Sequence, residues 1–176
     1  FKLPKDAFLS RVKKVTKSLV SLENLPFPTV VAINGYALGG GLEVCMACDY
    51  RVLSDRASIG LPEATLGIIP GFGGTVRLPR ITDISTALEW MTSGAIQNAK
   101  HALEKGAVDE VVPESDLRDV ALEKLSDFAS DIRDYKTLRS LKSQPVDCDH
   151  SMLDQTCNSY RDSADKKPGR NYPAPL

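Results

Sequence analysis

The sequence has little net charge and lacks long apolar runs, which argues against two classes of function. An apolar run such as Val30–Ile33 is far shorter than the roughly 20 residues that a membrane-spanning helix needs. Lys and Arg total 22 against 23 Asp and Glu, so the net charge of -1 supplies no field that would hold a phosphate backbone or an acidic membrane surface. We therefore predict a protein without a membrane span and without a nucleic-acid partner.

Cysteine is also scarce, and its spacing argues against a disulfide framework or a metal site. The four cysteines are too few for a disulfide-stapled chain of 176 residues, and no leader pattern opens the sequence. Cys45 and Cys48 have the spacing of a redox or zinc pair, but Cys148 and Cys157 do not supply a matching second pair. We predict buried structural cysteines, no metal, and a reducing compartment: the cytoplasm for a bacterial protein, or the mitochondrial matrix.

The remaining composition is that of one folded domain of the α/β class. Hydrophobic residues make up 42% and charged residues 26%, both near the globular average. An apolar stripe from Phe8 to Leu22 predicts a helix that begins near Lys5, and residues 29–34 read as a strand buried on both faces. The further predictions are a glycine turn at 35–41 leading into a helix, strands at 50–53, 57–59 and 108–112, helices at 84–91 and 98–106, a helix capped by Ser115, and an extended segment from Asp134.

The glycine turn at residues 35–41 does not match the common motifs in which a glycine turn joins a strand to a helix. Val44 stands where a dinucleotide fingerprint needs a third small residue, and Ala37 stands where a serine-hydrolase elbow needs its nucleophile. No lysine is placed for a phosphate loop. What remains is a set of backbone N–H groups at a helix N-terminus, which is half of an oxyanion hole. The competing interpretation is tight packing of the glycines against a neighbouring strand.

Two glutamates stand in apolar sequence surroundings near this turn. Glu43 follows the glycines within one helical turn, and Glu63 lies in the segment Gly-Leu-Pro-Glu. Apolar surroundings disfavour the charged form of a carboxyl group, so such a group can hold or deliver a proton near neutral pH. Each glutamate alone would be interpreted as a charge that complements a helix dipole, but together with the glycine turn they favour catalysis.

We interpret the other chemically active side chains as structural. His101 and His150 are predicted to be surface histidines, and Trp90 is predicted to be a core residue. For Arg77 and Arg80, packing or a salt bridge is favoured over substrate contact.

Three ordered motifs at fixed spacing make the sequence resemble a known family. They are Asn-Gly-Tyr-Ala-Leu-Gly-Gly-Gly-Leu-Glu at 34–43, Gly-Leu-Pro-Glu at 60–63 and Gly-Ile-Ile-Pro-Gly-Phe-Gly-Gly-Thr-Val-Arg-Leu at 67–78. Together they closely resemble the enoyl-CoA hydratase/isomerase (crotonase) family. Later pieces, up to residues 171–175, are most similar to the hydratase domain of fatty-acid oxidation complex alpha subunits.

The resemblance implies a fold and a domain division. The expected fold is α/β, a ClpP/crotonase-like spiral of ββα units with a C-terminal helical segment. Residues 1–133 would form the hydratase/isomerase domain without its N-terminal strands, and residues 134–176 would be an extension or linker toward an absent dehydrogenase domain. The chain opens on Phe1 rather than Met, which suggests a fragment. The resemblance further implies a chain truncated at both ends, without an earlier segment that carries the second oxyanion donor.

The resemblance also implies residue roles. Gly40 would donate a backbone N–H to a thioester carbonyl, Glu43 would activate water, and Glu63 would protonate the carbon next to the thioester. The substrate-binding positions that the motifs imply are Gly39, Gly40, Pro62, Gly71 and Phe72. The loop at residues 70–74 is predicted to fold back over the carboxylates, with Phe72 lining an acyl tunnel or, equally, filling the core.

The implied reaction is hydration of 2-trans-enoyl-CoA to 3-hydroxyacyl-CoA in fatty-acid β-oxidation, with 3-cis/2-trans-enoyl-CoA isomerisation as a side activity. Coenzyme A enters only as the substrate's thioester, no cofactor is expected, and NAD would belong to the dehydrogenase domain. A thiolase subunit and further copies of the chain are the implied partners. The alternative is a non-catalytic fragment that binds acyl-CoA or serves assembly.

Overall fold

The structure, a computed structural model, describes residues 4–146 and 149–165. Cys148 and the motif at 171–175 lie outside the described residues. In chain order the elements are α1 (Lys5–Glu23), β1 (Val30–Ile33), β2 (Tyr36–Leu38), α2 (Gly40–Ala47), β3 (Tyr50–Ser54), β4 (Ser58–Gly60), a 3-10 helix (Pro62–Leu66), α3 (Gly74–Ile81), α4 (Ile84–Ser93), β5 (Ile96–Asn98), α5 (Ala99–Glu104), β6 (Glu110–Val112), α6 (Leu117–Ala129), α7 (Tyr135–Ser143) and α8 (His150–Asp165).

The strands form two three-stranded sheets, and the first four strands alternate between them. One sheet has the order β1-β3-β6 and is parallel throughout; the other has the order β2-β4-β5, in which β2 and β4 are parallel and β5 is antiparallel. Each ββ unit therefore gives one strand to each sheet before the chain enters a helix. This arrangement confirms the predicted α/β spiral of ββα units.

The buried side chains form two clusters. The larger one lies among the sheets and helices α2 to α5, and its biggest member, Trp90, has no exposed surface, as predicted. The smaller one packs α6 and α7 against β3 through Tyr50, Phe128 and Tyr135, with Tyr50 and Phe128 in edge-to-face contact. The larger cluster includes residues that precede and follow β2 and β4, and so it supports the loops that follow these two strands.

Several predicted elements differ from the structure because tertiary pairing decides them. Strand β1 is only partly buried, with Ala32 exposed, although both faces were predicted to be covered. Tyr36–Leu38 is a strand rather than part of a glycine turn, because it pairs with β4. Helix α3 is absent from the predicted elements, because it begins at a glycine and contains Pro79. Ser115 does not cap α6; the N-cap residue is Asp116, and Ser115 donates to its carboxylate.

The extended segment predicted from Asp134 is instead helical. Asp134 caps α7 by accepting hydrogen bonds from the backbone N–H groups of Lys136 and Thr137, and α8 follows. Charged side chains such as Lys136 and Asp154 lie on exposed faces of these helices, whereas Arg139 and Lys142 bond to the body of the protein. The division of the chain at residue 133 stays a prediction.

Helix α7 is held against the body of the protein by Arg139. Its guanidinium donates two hydrogen bonds, of 2.7 and 2.9 Å, to the buried carboxylate of Asp49, and a third of 2.6 Å to the carbonyl of Leu25. Burial alone would raise the pKa of Asp49, but hydrogen bonds from Arg139 and Thr29 lower it below its ordinary value. Asp49 is therefore a buried carboxylate with its positive partner supplied by α7.

We expect Arg139→Met to lower the free energy of unfolding by about 3 kcal/mol or more, because it leaves Asp49 buried without its positive partner. Urea denaturation of the parent and the variant measures the difference. Arg118→Met, which changes an exposed arginine on α6, is the matched control and should stay within about 0.5 kcal/mol of the parent. Equal losses in the two variants would contradict this account of α7.

Candidate active site

The ends of two neighbouring parallel strands bring the glycine turn and the second glutamate together. Leu38, the last residue of β2, pairs with Gly60, the last residue of β4. The carboxyl ends of adjacent parallel strands lie at the same edge of a sheet, so the residues that follow them are neighbours. Gly39 and Glu63 therefore meet at this edge, although 24 positions separate them in the sequence.

The turn between β2 and α2 requires a glycine at position 39. Gly39 has φ of +55°, and its N–H donates to the carbonyl of Gly60 at 2.9 Å. A Cβ atom at Gly39 would lie 3.0 Å from Oε1 of Glu63. Gly40 follows as the first residue of α2, where a helix leaves its amide N–H groups without an intrahelical acceptor. This backbone can thus approach a ligand closely and offer it a hydrogen-bond donor.

Glu43 is buried, with 1% of its surface exposed, and its carboxylate is oriented by the main chain of a distant loop. Oε1 accepts hydrogen bonds from the N–H of Phe72 at 2.8 Å and of Gly74 at 2.7 Å. Oε2 points toward Gly40, 3.9 Å from the position that a Cβ atom there would occupy. One carboxylate oxygen is therefore occupied by the protein and the other faces the glycine turn.

Glu63 lies next to Gly39 and has a different environment. It lies at the start of the 3-10 helix behind Pro62 and is 8% exposed. Burial raises its pKa, and the charge of Glu43 raises it further. Among the described residues its Oε2 has no hydrogen-bond partner. Glu63 therefore retains its proton to a higher pH than an ordinary glutamate does.

A cavity of about 1030 Å³ joins these groups. Its wall includes every residue that the motifs implied: Gly39, Gly40, Glu43, Pro62, Glu63, Gly71 and Phe72. Apart from the two carboxylates the wall is largely apolar, with Phe8 and Val12 from α1 facing residues 66–70. Phe72 lies on this wall, half-buried, and is not a member of either core cluster. A largely apolar cavity with two carboxylates and a backbone N–H donor is suited to proton transfer on an apolar acyl compound.

The sequence matches the family model for enoyl-CoA hydratase/isomerase over residues 6–159. The chain belongs to the enoyl-CoA hydratase/isomerase family. It is 45% identical over 166 residues to the fatty acid oxidation complex subunit alpha of Idiomarina loihiensis, which covers 94% of this chain and 23% of that protein. The subunit of the same name from Pseudomonas savastanoi pv. phaseolicola is 44% identical over 176 residues, covering 100% of this chain and 24% of that protein. The chain thus spans about a quarter of the length of these curated relatives.

Solved structures of enoyl-CoA hydratases share the fold. The enzyme from Bacillus anthracis superposes with a TM-score of 0.72 at 34% identity, covering 96% of this chain and 66% of that one. The enzyme from Thermoplasma volcanium superposes with a TM-score of 0.70 at 28% identity, covering 95% and 66%. These superpositions confirm the expected crotonase-like fold.

The remaining side chains singled out in this family member have structural roles. Arg77 forms a salt bridge with Glu23, as predicted, and Cys45 and Cys48 are buried free thiols. His101 is half-buried and lies against the Trp90 ring, whereas the side chain of His150 is outside the part of the chain that the structure describes. Across residues 4–146 and 149–165, no three metal-ligating side chains cluster, and no helix combines the length and apolar character that crossing a bilayer requires.

The sequence did not reveal which groups orient Glu43. Its donors at Phe72 and Gly74 are backbone amides 29 and 31 positions away, which leave no trace in residue type. It also did not place Phe8 and Val12 at the cavity. The usable signal for these two residues is the apolar stripe on α1. In the structure the first turns of α1 are exposed rather than covered by the core, so the start of the stripe is left to line the cavity.

The raised pKa of Glu63 gives a testable dependence of stability on pH. The folded chain holds the Glu63 proton to a higher pH than the unfolded chain, so the free energy of unfolding falls as pH rises from the ordinary value through the raised one. Glu63→Gln cannot ionise, and we expect its stability relative to the parent to be greater at about pH 8 than at about pH 4. Urea denaturation at both pH values measures this. A difference that does not change with pH, as expected for exposed Glu89→Gln, would contradict the assignment.

Proposed function

We propose that this site hydrates 2-trans-enoyl-CoA to 3-hydroxyacyl-CoA, as part of fatty-acid β-oxidation. The observation that carries the proposal is the placement of two buried carboxylates in unlike environments next to the Gly39–Gly40 backbone, on the wall of one cavity. Hydration needs one group to take a proton from water and another to give a proton to carbon, and carboxylates in unlike environments can hold these two roles. Membership of the family and the relatives named above support the same reaction.

In the proposed complex the thioester carbonyl lies at the start of α2. It accepts a hydrogen bond from the N–H of Gly40, and the N-terminal end of the helix favours the negative charge that develops on this oxygen. Polarisation of the carbonyl withdraws electrons from the C2=C3 bond, so C3 accepts a nucleophile. The apolar walls of the cavity keep competing water away from the acyl chain.

The two glutamates then complete the addition. Oε2 of Glu43, which the loop leaves free, takes a proton from a water molecule while the water oxygen bonds to C3. The electron pair of the C2=C3 bond moves toward the thioester, and C2 takes the proton that Glu63 holds. Glu43 ends protonated and Glu63 ends ionised, and exchange with solvent restores both. The reaction adds water across the double bond of the enoyl thioester with no net oxidation or reduction, so it needs no redox cofactor, and in this proposal the N–H of Gly40 polarises the carbonyl in place of a metal ion.

The same site supports a secondary isomerase activity. In its ionised form Glu63 takes a proton from C2 of a 3-cis-enoyl thioester, the electron pair moves through the thioester, and the proton is returned to C4, which leaves a 2-trans double bond. We further propose, by extension from relatives that are subunits of a fatty acid oxidation complex, that the whole protein associates with a thiolase subunit and with copies of itself in the bacterial cytoplasm, and that NAD chemistry belongs to a separate domain.

Product analysis tests the function. We expect the purified protein to convert crotonyl-CoA to 3-hydroxybutyryl-CoA, and to convert a 3-cis-enoyl-CoA to the 2-trans isomer more slowly, as measured by liquid chromatography with mass detection. Binding of crotonyl-CoA without turnover of either thioester, together with co-sedimentation with a thiolase, would overturn the proposal in favour of a non-catalytic assembly role.

Phe72 offers a prediction on chain-length selectivity. Its ring lies 3.4 Å from where a Cβ atom at Gly40 would stand, on the wall of the cavity. We expect Phe72→Ala to change the ratio of kcat/KM for crotonyl-CoA and decenoyl-CoA by about tenfold or more, because each methylene in an apolar pocket contributes about 1–3 kcal/mol. A uniform loss for both substrates, accompanied by a lower melting temperature, would instead show that Phe72 acts only by packing.

A further inference from the structure

A part-buried ion pair lies directly behind the loop that orients Glu43. Nε and Nη2 of Arg77 donate to the two carboxylate oxygens of Glu23, at 2.6 and 2.9 Å. Arg77 is 7% exposed, and Glu23 is the last residue of α1. This two-point geometry fixes the plane of the guanidinium as well as its position.

The same guanidinium also holds the loop itself. Its remaining terminal nitrogen, Nη1, donates to the carbonyl of Phe72 at 2.8 Å. The N–H of Phe72, and that of Gly74 two residues later, are the groups that donate to Oε1 of Glu43. Gly73 between them has φ of +106°, and a Cβ atom there would overlap Nη1 of Arg77. The loop is therefore shaped around the arginine on one side and around the catalytic carboxylate on the other.

We propose that Arg77, oriented by Glu23, is a positioning residue for hydration that fixes the direction of the Glu43 carboxylate through the Phe72–Gly74 main chain. The proposal rests on the proposed function of Glu43. Removing the guanidinium frees the Phe72 carbonyl, so the amides that hold Oε1 lose their fixed direction and Oε2 no longer points steadily at the water. A misplacement of about 1 Å in a reacting group can cost about 100-fold in rate.

The link also joins two walls of the cavity. Glu23 ends the helix whose first turns supply Phe8 and Val12 to the wall, whereas Arg77 belongs to α3, which follows the glycine loop. The ion pair therefore fixes the α1 wall and the base at Glu43 relative to each other.

The kinetic test uses Arg77→Met, which keeps the length of the side chain without its donors. We expect kcat for crotonyl-CoA to fall by about 10- to 100-fold with KM changed less than about threefold, because the substrate contacts themselves remain. In a Glu43→Gln background the same change should lower kcat by less than about twofold, because the residue through which Arg77 acts has already been disabled. Arg80→Met, three positions along α3 and bonded away from the loop to Val76 and Gln144, is the matched control and should keep the parental kcat.

A second readout does not depend on turnover. Hydrogen exchange of the peptide spanning residues 70–76 should become faster in Arg77→Met, while that of β3 stays at the parental rate; circular dichroism checks that the variant folds. If Arg77→Met does not fold, Glu23→Gln, which weakens the pair but keeps a hydrogen-bonding side chain, is measured in the same way and decides the question.

The outcomes separate this proposal from the proposed function. If the parent protein hydrates crotonyl-CoA and Arg77→Met keeps the parental kcat, the positioning role alone is overturned. It is also overturned if the losses of kcat from Arg77→Met and Glu43→Gln multiply in the double variant. Unchanged exchange of residues 70–76 would also overturn it. A parent that does not hydrate crotonyl-CoA, but whose loop exchange rises on substitution, would overturn the function and leave Arg77 as the group that orders the loop.

Discussion

Glu63→Gln is expected to lower kcat for hydration of crotonyl-CoA by about 100- to 10,000-fold, the range that a positioned proton donor typically contributes. Glutamine has the same shape but carries no acidic proton, so C2 has no donor in the cavity. KM should change little, because the apolar wall and the N–H of Gly40 remain. Steady-state kinetics monitored by loss of the enoyl thioester absorbance measures both constants.

The control for this experiment is Glu89→Gln, the same change on the exposed face of α4, which should leave kcat at the parental value. Parental turnover by Glu63→Gln would exclude Glu63 as the proton source. A loss that occurs entirely in KM would instead assign Glu63 to substrate binding.

Glu43→Gln is expected to cause a loss of kcat in the same range, about 100- to 10,000-fold, for a different reason. The amide oxygen can still accept the hydrogen bonds from Phe72 and Gly74 that Oε1 accepts now, so the loop keeps its position. The amide nitrogen then takes the place of Oε2 and donates a hydrogen bond to the water instead of taking its proton.

The stability of Glu43→Gln distinguishes a catalytic loss from a structural one. Its melting temperature should stay close to that of the parent because the two loop hydrogen bonds are kept. Glu43→Ala, which removes the acceptor and leaves two buried N–H groups unpaired, should be less stable than the glutamine variant. Equal melting temperatures for the two variants would show that the loop does not depend on this carboxylate.

Local sequence was sufficient to indicate much of the site because each motif is a continuous segment. The glycines at 39–41 indicate a place where the backbone could come close to a ligand, and a glutamate in apolar surroundings indicates a candidate acid or base. That Gly39 and Glu63 meet follows only from the parallel pairing of β2 with β4. The pairing was not visible in the sequence, since both strands are three residues long and too short to show alternation.

The elements that could not be predicted are those decided by distant contacts. Helix α3 has glycine at its start and Pro79 in its last turn, so its local sequence disfavours a helix. Packing against α2 and α4 stabilises the helix instead. Helix α7 has a charged sequence, and Arg139 fixes it through Asp49, which lies 90 positions earlier. Interactions over such separations depend on the folded topology rather than on neighbouring residues.

The most direct test of the central claim is kcat/KM for crotonyl-CoA in the parent, the two single glutamine variants at positions 43 and 63, and the double variant. If both carboxylates act on one bound thioester, each single substitution should abolish most of the activity. The kcat/KM of the double variant should then lie within about tenfold of that of the less active single variant, because the effects of residues that act as a unit are not additive. Parental activity in either single variant, or single losses that multiply fully in the double variant, would contradict the claim that Glu43 and Glu63 work together on the same substrate.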